Sequence, residues 1–148
     1  MANTYTALHY HVVFSTKNRE PLIHPEWRDR LHDYIGGALR GLEAYPHGVG
    51  GTQDHVHLLF GMNPTQWLAD VMRETKKNSS AWVRDEMGES GFAWQDGYAG
   101  FTVSAPGLEA VRHYIMTQEE HHQQRSFREE LVMMLEKAGV AYNPSFLE

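Results

Sequence analysis

The sequence predicts an α+β fold, in which an antiparallel sheet carries its helices on one face. Segments rich in β-branched and aromatic residues alternate along the chain with segments whose apolar residues recur at helical spacing. The predicted elements follow one another as β-α-β-β-α-β, with further helices behind them. This order is typical of the split βαβ, or ferredoxin-like, arrangement.

The first half of the pattern contains three strands and one helix. Residues 4–16, TYTALHYHVVFST, are aromatic and β-branched and predict a strand, which a loop with two prolines follows. A helix is predicted from Glu26, because apolar residues recur with a helical period at Trp27, Leu31, Tyr34, Ile35, Ala38, Leu39 and Leu42. Residues 44–50 and 55–62 predict two short strands.

The second half contains one strand and three helices. Residues 63–65, Asn-Pro-Thr, open a second helix with Thr65 as its N-cap. We expect the apolar face of that helix to carry Trp67, Leu68, Val71, Met72 and Trp82. Residues 98–104 predict a fourth strand, residues 108–125 a third helix, and residues 127–138 a last amphipathic helix that ends at Gly139.

Composition limits the class of protein. The 148 residues, 41% of them hydrophobic, suit one compact domain over residues 1–148. Without cysteine the chain has no disulfide or thiolate metal site, which fits a cytoplasmic location. We expect no signal peptide and no membrane span. A net charge of −6 predicts that any nucleic-acid site is a local basic patch.

Two His-x-His pairs are candidate metal ligands. His55 and His57 are two apart in a predicted strand, so their side chains share one face. Two neutral imidazoles can hold one metal ion. His9 and His11 form a second pair of the same kind, and spacing does not rank the two. Either pair can also consist of polar groups without a ligand.

Tyr114 and Gln118 are four apart in the predicted third helix and therefore share a face. A tyrosine hydroxyl is a competent nucleophile on phosphorus once its proton is removed. Two imidazoles and the Gln118 oxygen fill half of an octahedron, which leaves positions for phosphate oxygens and water around Mg²⁺ or Mn²⁺. The alternative for Tyr114 is a half-buried packing residue.

Four segments together resemble a known family: HVHLLFGM, TQWLADVMRETKKNSSAWV, WQDGYAGFTVS and YIMTQEEHH. In this order they resemble the insertion-sequence-200/605-like single-strand DNA transposases. These are HUH enzymes with one catalytic tyrosine, related to the REP-associated tyrosine transposases. The similarity runs over about residues 10–146. It selects His55 and His57 as the HUH pair, and it implies Tyr114 as the nucleophile and Gln118 as the third metal ligand.

The resemblance implies an enzyme that cleaves and rejoins single-stranded DNA through a 5′-phosphotyrosine intermediate. It further implies Mg²⁺ or Mn²⁺, recognition of hairpin ends of a mobile element, and a homodimer whose active site is shared between subunits. One alternative is a non-catalytic or domesticated DNA-binding protein of the same fold. Another is a related HUH nickase, which the single tyrosine followed by Gln118 disfavours.

Basic residues near these motifs are candidate DNA contacts, with solvated polar surface as the alternative. They are Lys17, Arg19, Arg73, Lys76 and Lys77. Trp94 in WQDGY is expected in the core rather than under an unpaired base. Asp54 could orient a histidine, although a turn cap is preferred. Solvated positions are expected for Glu119, Glu120, His121 and His122.

Overall fold

A computed structural model describes residues 3–122 and 124–147. Its strands are β1 (His9–Ser15), β2 (Tyr45–Gly51), β3 (His55–Gly61) and β4 (Ala99–Val103). Its α-helices are α1 (Arg28–Gly41), α2 (Leu68–Glu86), α3 (Leu108–Met116), α4 (Gln118–His122) and α5 (Phe127–Lys137). The strands form one antiparallel sheet in the order β2-β3-β1-β4, which confirms the ferredoxin-like α+β fold. No helix in the described ranges is long and apolar enough to cross a membrane.

One face of the sheet carries the main core. Side chains alternate along a strand, so Val56, Leu58 and Phe60 of β3 all point to this face and are fully buried. Helices α1 and α2 cover it with apolar stripes at helical spacing. The buried residues of these stripes are Leu31, Ile35 and Leu39 of α1, and Val71, Met72 and Val83 of α2.

The C-terminal helices form a second layer on the opposite face. Phe127, Leu131 and Leu135 of α5 pack there against Val13 of β1 in a separate apolar cluster. The prediction that the helices lie on one face of the sheet is therefore correct for α1 and α2 and wrong for α3–α5, which lie on the other face. Helix α5 ends as predicted at Gly139, whose φ of 70° favours glycine.

Helix α3 lies unusually close to the edge strand β2. A Cβ added to Gly50 would lie 2.3 Å from the backbone oxygen of Ile115 and 2.9 Å from a methyl carbon of its side chain. Only a glycine leaves room for this approach. The helix is thereby held directly over the sheet, one strand away from β3.

The second helix begins later than predicted. Residues 63–66 form a turn, in which Gln66 Oε1 accepts a hydrogen bond of 2.9 Å from the Asn63 backbone N–H. Thr65 is therefore not the N-cap, since α2 follows Trp67 without a side-chain capping bond. Trp67 is 73% exposed, so its predicted place on the apolar face is also wrong.

The third helix, predicted over residues 108–125, is broken at Thr117. The backbone of Thr117 leaves helical geometry with φ −113° and ψ 30°, and its hydroxyl donates to the carbonyl one turn earlier at 2.9 Å. Tyr114 and Gln118 therefore lie on different helices, and not on one continuous face. They still touch, because Gln118 Nε2 donates to the Tyr114 carbonyl at 3.3 Å. Residue 123 of the predicted helix lies outside the described residues.

Gly50→Ala is expected to lower the melting temperature, because its Cβ would force α3 away from β2. Overpacking typically costs about 1–3 kcal/mol. Gly37→Ala in α1 is the matched control, since nothing lies within 4 Å of its added Cβ and alanine favours a helix by about 1 kcal/mol. Thermal unfolding measures both variants. A melting temperature for Gly50→Ala equal to that of the wild type would contradict the close contact.

Candidate active site

The two histidines of β3 lie beneath the C-terminal helices. His55 and His57 share the face opposite Val56, as the strand period predicts, and neither side chain has exposed surface. Their ring centroids are 5.1 Å apart. Burial lowers the pKa of His57 to about 4, although the Glu130 carboxylate acts in the opposite direction. His57 is therefore neutral at physiological pH, which is the form that binds metal ions.

Gln118, the first residue of α4, reaches the histidine pair. Its Oε1 lies 3.0 Å from His55 Nε2 and 3.0 Å from His122 Nε2. Its Nε2 donates to the Tyr114 carbonyl at 3.3 Å and to Glu130 Oε2 at 3.2 Å. These two donated bonds orient the amide so that its oxygen faces His55.

Glu130 of α5 connects all of these groups. Its Oε1 accepts hydrogen bonds from His57 Nε2 at 3.1 Å and from His122 Nε2 at 3.2 Å. Its Oε2 accepts from the Tyr114 hydroxyl and from Gln118 Nε2. Burial alone would raise the pKa of the Glu130 carboxyl, but hydrogen bonds from His122 and His57 outweigh it and lower that pKa. The carboxylate is therefore ionised inside the fold.

Tyr114 of α3 stands beside the histidine pair of its own chain. Its ring centroid is 5.8 Å from that of His57, and the two rings meet edge to face. Burial, followed by the Glu130 carboxylate, raises the pKa of the Tyr114 phenol above its ordinary value. The hydroxyl is therefore a hydrogen-bond donor at rest and must lose its proton to act as a nucleophile.

Asp54 orients His55, which corrects the preference for a simple turn cap. His55 Nδ1 donates to Asp54 Oδ1 at 2.7 Å, and the Thr52 hydroxyl donates to the same oxygen at 3.2 Å. The proton on Nδ1 leaves a lone pair on Nε2, which points at the Gln118 oxygen. A carboxylate that fixes the tautomer of a histidine is typical of metal sites.

The second His-x-His pair is divided between two environments. His11 Nε2 lies 2.8 Å from His57 Nδ1, with the rings stacked at 5.0 Å, so it supports His57. His9 instead packs edge to face against His47 at 5.1 Å. His9 and His11 therefore do not converge on one position, whereas His55 Nε2 and His57 Nε2 lie 3.6 Å and 3.1 Å from the same Glu130 oxygen.

The donor set fits a divalent cation. His55 Nε2 and Gln118 Oε1 face each other at 3.0 Å, although neither atom carries a hydrogen in this tautomer. Adjacent ligands of an octahedral ion at about 2.1 Å are separated by about 3 Å. Donor atoms of His55, His122 and Glu130 also lie within 4.8 Å of one another. Imidazole nitrogens mixed with oxygens suit Mn²⁺ and accommodate Mg²⁺.

Sequence reasoning missed two residues of this site. His122 was expected in solvent, yet it touches both Gln118 and Glu130. Its spacing of four from Gln118 within α4 was an available signal. Glu130 gave no comparable signal, because one glutamate in an amphipathic helix is ordinary. Exposed Glu119 forms an ion pair with Arg28 at 2.8 Å.

Three of the five predicted DNA-binding residues line one groove, of about 430 Å³, between α2 and residues 93–98. This α2 groove is lined by Arg73, Lys76 and Lys77, together with the partly exposed aromatic ring of Tyr98. Lys17 and Arg19 lie in a 3₁₀ turn, and the Lys17 backbone N–H donates to Ala93 O at 2.9 Å beside the groove.

The basic side chains of the α2 groove differ in their availability. Lys76 Nζ donates to the carbonyls of Gln95 at 2.7 Å and Gly97 at 2.6 Å. Arg73 pairs with Asp70 at 2.9 Å. Exposed Lys77 has neither an ion pair nor a side-chain hydrogen bond within the described ranges. Lys77 is therefore the most available cation of the three for a phosphate.

The WQDGY segment begins with a core residue, as predicted. Trp94 is 8% exposed, and its indole N–H donates to Ser79 Oγ at 2.9 Å. Its ring packs edge to face on Phe14.

A protein family described as "Transposase IS200 like" matches residues 4–118 of the chain, well over half of its length. The protein belongs to the IS200-like transposase family. The family match includes both β3 histidines and Tyr114 and ends at Gln118. His122 and Glu130 lie beyond that match.

One transposase sequence and two solved structures are similar to this chain. The ISDra2 transposase TnpA of Deinococcus radiodurans is 29% identical over 121 residues, covering 76% of this chain and 85% of that protein. A crystal structure assigned as a Deinococcus radiodurans R1 transposase matches with a TM-score of 0.64 and 23% identity, covering 78% and 93%. A REP-associated tyrosine transposase bound to a REP hairpin matches with a TM-score of 0.53 and 14% identity, covering 78% and 67%. These two structures support the fold.

Asp54→Asn is expected to weaken Mn²⁺ binding by about tenfold, because the amide no longer fixes the His55 tautomer as a carboxylate does. Isothermal titration calorimetry of the DNA-free protein measures the affinity. Asp70→Asn is the matched control, since Asp70 is half-exposed on α2 and pairs with Arg73. Equal Mn²⁺ affinity for Asp54→Asn and the control would contradict the orienting role.

Proposed function

We propose that this IS200-like protein cleaves and rejoins single-stranded DNA, with Tyr114 as its nucleophile. One observation carries the proposal: the Tyr114 hydroxyl and the His57 imidazole bind the same carboxylate, that of Glu130. A nucleophile for phosphorus is thus held beside a cation-binding set. We also propose that residues 1–148 form a single HUH nuclease domain.

In this proposal His55, His57 and Gln118 hold a divalent cation. A bound Mg²⁺ or Mn²⁺ would polarise the scissile phosphate and offset its developing charge. Tyr114 forms a bond from its oxygen to phosphorus, and the bond from phosphorus to the 3′ oxygen breaks. The phenol proton is released to solvent, and the departing strand takes up a proton as a free 3′-hydroxyl. The 5′-phosphotyrosine keeps the energy of the broken bond, so a second 3′-hydroxyl can reverse the reaction.

The proposed substrate is a single strand that carries a hairpin. The REP-associated tyrosine transposase with the similar fold was solved bound to a REP hairpin, which supports this choice by likeness. An acidic chain of net charge −6 cannot rely on general attraction to DNA. The α2 groove would supply local positive charge and, through Tyr98, a surface for an unpaired base.

We also propose a homodimer with a shared active site. Helix α5 packs in an apolar cluster that is separate from the main core. Exchange of α3–α5 between two copies would bring Tyr114 of one copy over the histidine pair of the other.

One observation favours the non-catalytic alternative. His55 and His57 are 0% exposed, so a scissile phosphate reaches them only after the C-terminal helices move. A protein that never opens this site would bind DNA through its surface groove without cutting it.

Tyr114→Phe is expected to abolish a covalent protein–DNA adduct, because phenylalanine has no oxygen to form the phosphotyrosine. The assay incubates protein, Mn²⁺ and a labelled hairpin-bearing single strand, and separates adducts on a denaturing gel. Tyr45→Phe is the control, since Tyr45 is exposed on β2. An adduct that persists in Tyr114→Phe would exclude Tyr114 as the nucleophile. DNA binding by the wild type without an adduct under Mg²⁺ or Mn²⁺ would support the non-catalytic alternative.

Lys77→Gln is expected to weaken single-strand binding and to reduce the slope of log K against log salt by about 0.7–1. Arg73→Gln is expected to have a smaller effect, because Asp70 already neutralises that guanidinium. Fluorescence anisotropy over a range of KCl concentrations measures both slopes. Lys137→Gln, at the exposed end of α5, is the control. A Lys77→Gln slope equal to that of the control would exclude the α2 groove as a phosphate contact.

A further inference from the structure

Glu130 is a carboxylate that the fold places at the centre of the candidate site. It lies on α5, beyond the residues that the family match covers. Its side chain is 1% exposed. Its two oxygens bind different groups. Oε1 accepts hydrogen bonds from the imidazoles of His57 and His122, and Oε2 accepts from the Tyr114 hydroxyl and the Gln118 amide.

The placement of Glu130 follows from the way α5 is anchored. Ser126 caps the helix and forms a capping box with Glu129, which fixes where α5 begins. The ring of Phe127 stacks on His55 with centroids 4.4 Å apart, and Leu131 packs in the apolar cluster under α5. Positions three and four residues apart share one helical face, so position 130 must also point at the sheet.

A buried carboxylate at this position is costly unless a positive charge compensates it. Within residues 3–122 and 124–147, no lysine or arginine nitrogen forms an ion pair with Glu130. Its ion-pair partners there are the imidazoles of His55, His57 and His122, at 3.1–3.6 Å. The described ranges therefore place no permanently charged cation beside this carboxylate, and a divalent metal ion would supply one.

We propose that Glu130 is a bridging residue, which binds the cation through Oε1 and holds the Tyr114 hydroxyl through Oε2. This inference rests on the proposed function and adds to it a ligand and a positioning residue from the C-terminal helix. The carboxylate would join the cation of His55 and His57 to the nucleophile. The distance between the attacking oxygen and the polarised phosphate would then be set by one rigid group.

The carboxylate oxygen that Glu130 would contribute predicts which metal the site prefers. Carboxylate and amide oxygens favour hard ions such as Mg²⁺ and Mn²⁺, whereas imidazole nitrogens alone suit Zn²⁺ well. Removing the charge of Glu130 should therefore weaken Mn²⁺ binding more than Zn²⁺ binding. A residue that only packs α5 against the sheet would not change this ratio.

Glu130→Gln is expected to weaken Mn²⁺ binding by at least about tenfold, with a smaller loss for Zn²⁺. Isothermal titration calorimetry on the DNA-free full chain measures both affinities. Glu136→Gln is the matched control, because Glu136 is exposed on the same helix. Glu130→Asp keeps the charge and should recover part of the Mn²⁺ affinity.

The stability of the Glu130→Gln variant and the positioning of the Tyr114 hydroxyl need separate measurements. Without metal, Glu130→Gln is expected to melt below the wild type, because a single amide oxygen cannot accept the four hydrogen bonds that the carboxylate accepts. Metal binding is therefore compared at a temperature at which both proteins are folded. At saturating Mn²⁺, Glu130→Gln is expected to form the DNA adduct at least about tenfold more slowly than Glu136→Gln.

Three outcomes would overturn the inference: wild-type Mn²⁺ affinity in Glu130→Gln, equal losses for Mn²⁺ and Zn²⁺, or no Mn²⁺ binding by the wild type. The proposed function and the role of Glu130 can fail separately. If Glu130→Gln weakens Mn²⁺ binding but the wild type forms no DNA adduct, the proposed function is overturned and Glu130 remains a cation ligand. If Glu130→Gln binds Mn²⁺ like the wild type and forms the adduct normally, Glu130 is not a cation ligand and the proposed function stands.

Discussion

The contact between α3 and the edge strand β2 determines where the groups of the candidate site lie. Gly50 lacks the Cβ that would otherwise collide with the Ile115 backbone, so the helix rests directly on the strand. Ile115 is fully buried, and Tyr114 immediately precedes it while Gln118 follows three residues later. Both functional side chains are therefore carried to the neighbouring strand β3 by one close backbone contact.

Beneath that contact lies a network of largely buried polar side chains. Burial lowers the pKa of His57 to about 4 and that of His11 to about 3, so both rings stay neutral at physiological pH. Asp54 fixes the tautomer of His55, and His11 supports the far side of His57. Preorganised neutral imidazoles are ready to bind a cation without first losing protons.

Electrostatics link the cation to the DNA. The whole chain is acidic, and the Glu130 carboxylate would repel a phosphate that approached the histidine pair alone. A divalent ion at the same position would reverse the sign of that local field. The α2 groove supplies some positive charge elsewhere, where Lys77 is exposed and Arg73 is already paired. Under the proposed function, metal binding would therefore precede strand binding at the candidate site.

The sequence by itself determined the elements and their faces, because the periods of strands and helices are local properties of the backbone. The order of four strands and the common face of His55 and His57 follow from these periods, and the resemblance pointed to Tyr114. Tertiary structure decided what local patterns do not encode. The helix is broken at Thr117, and Glu130 meets His57 across 73 residues of chain. The contact between Glu130 and His57 depends on how α5 packs against the sheet. The spacing of residues along the chain does not specify the distance between these two side chains.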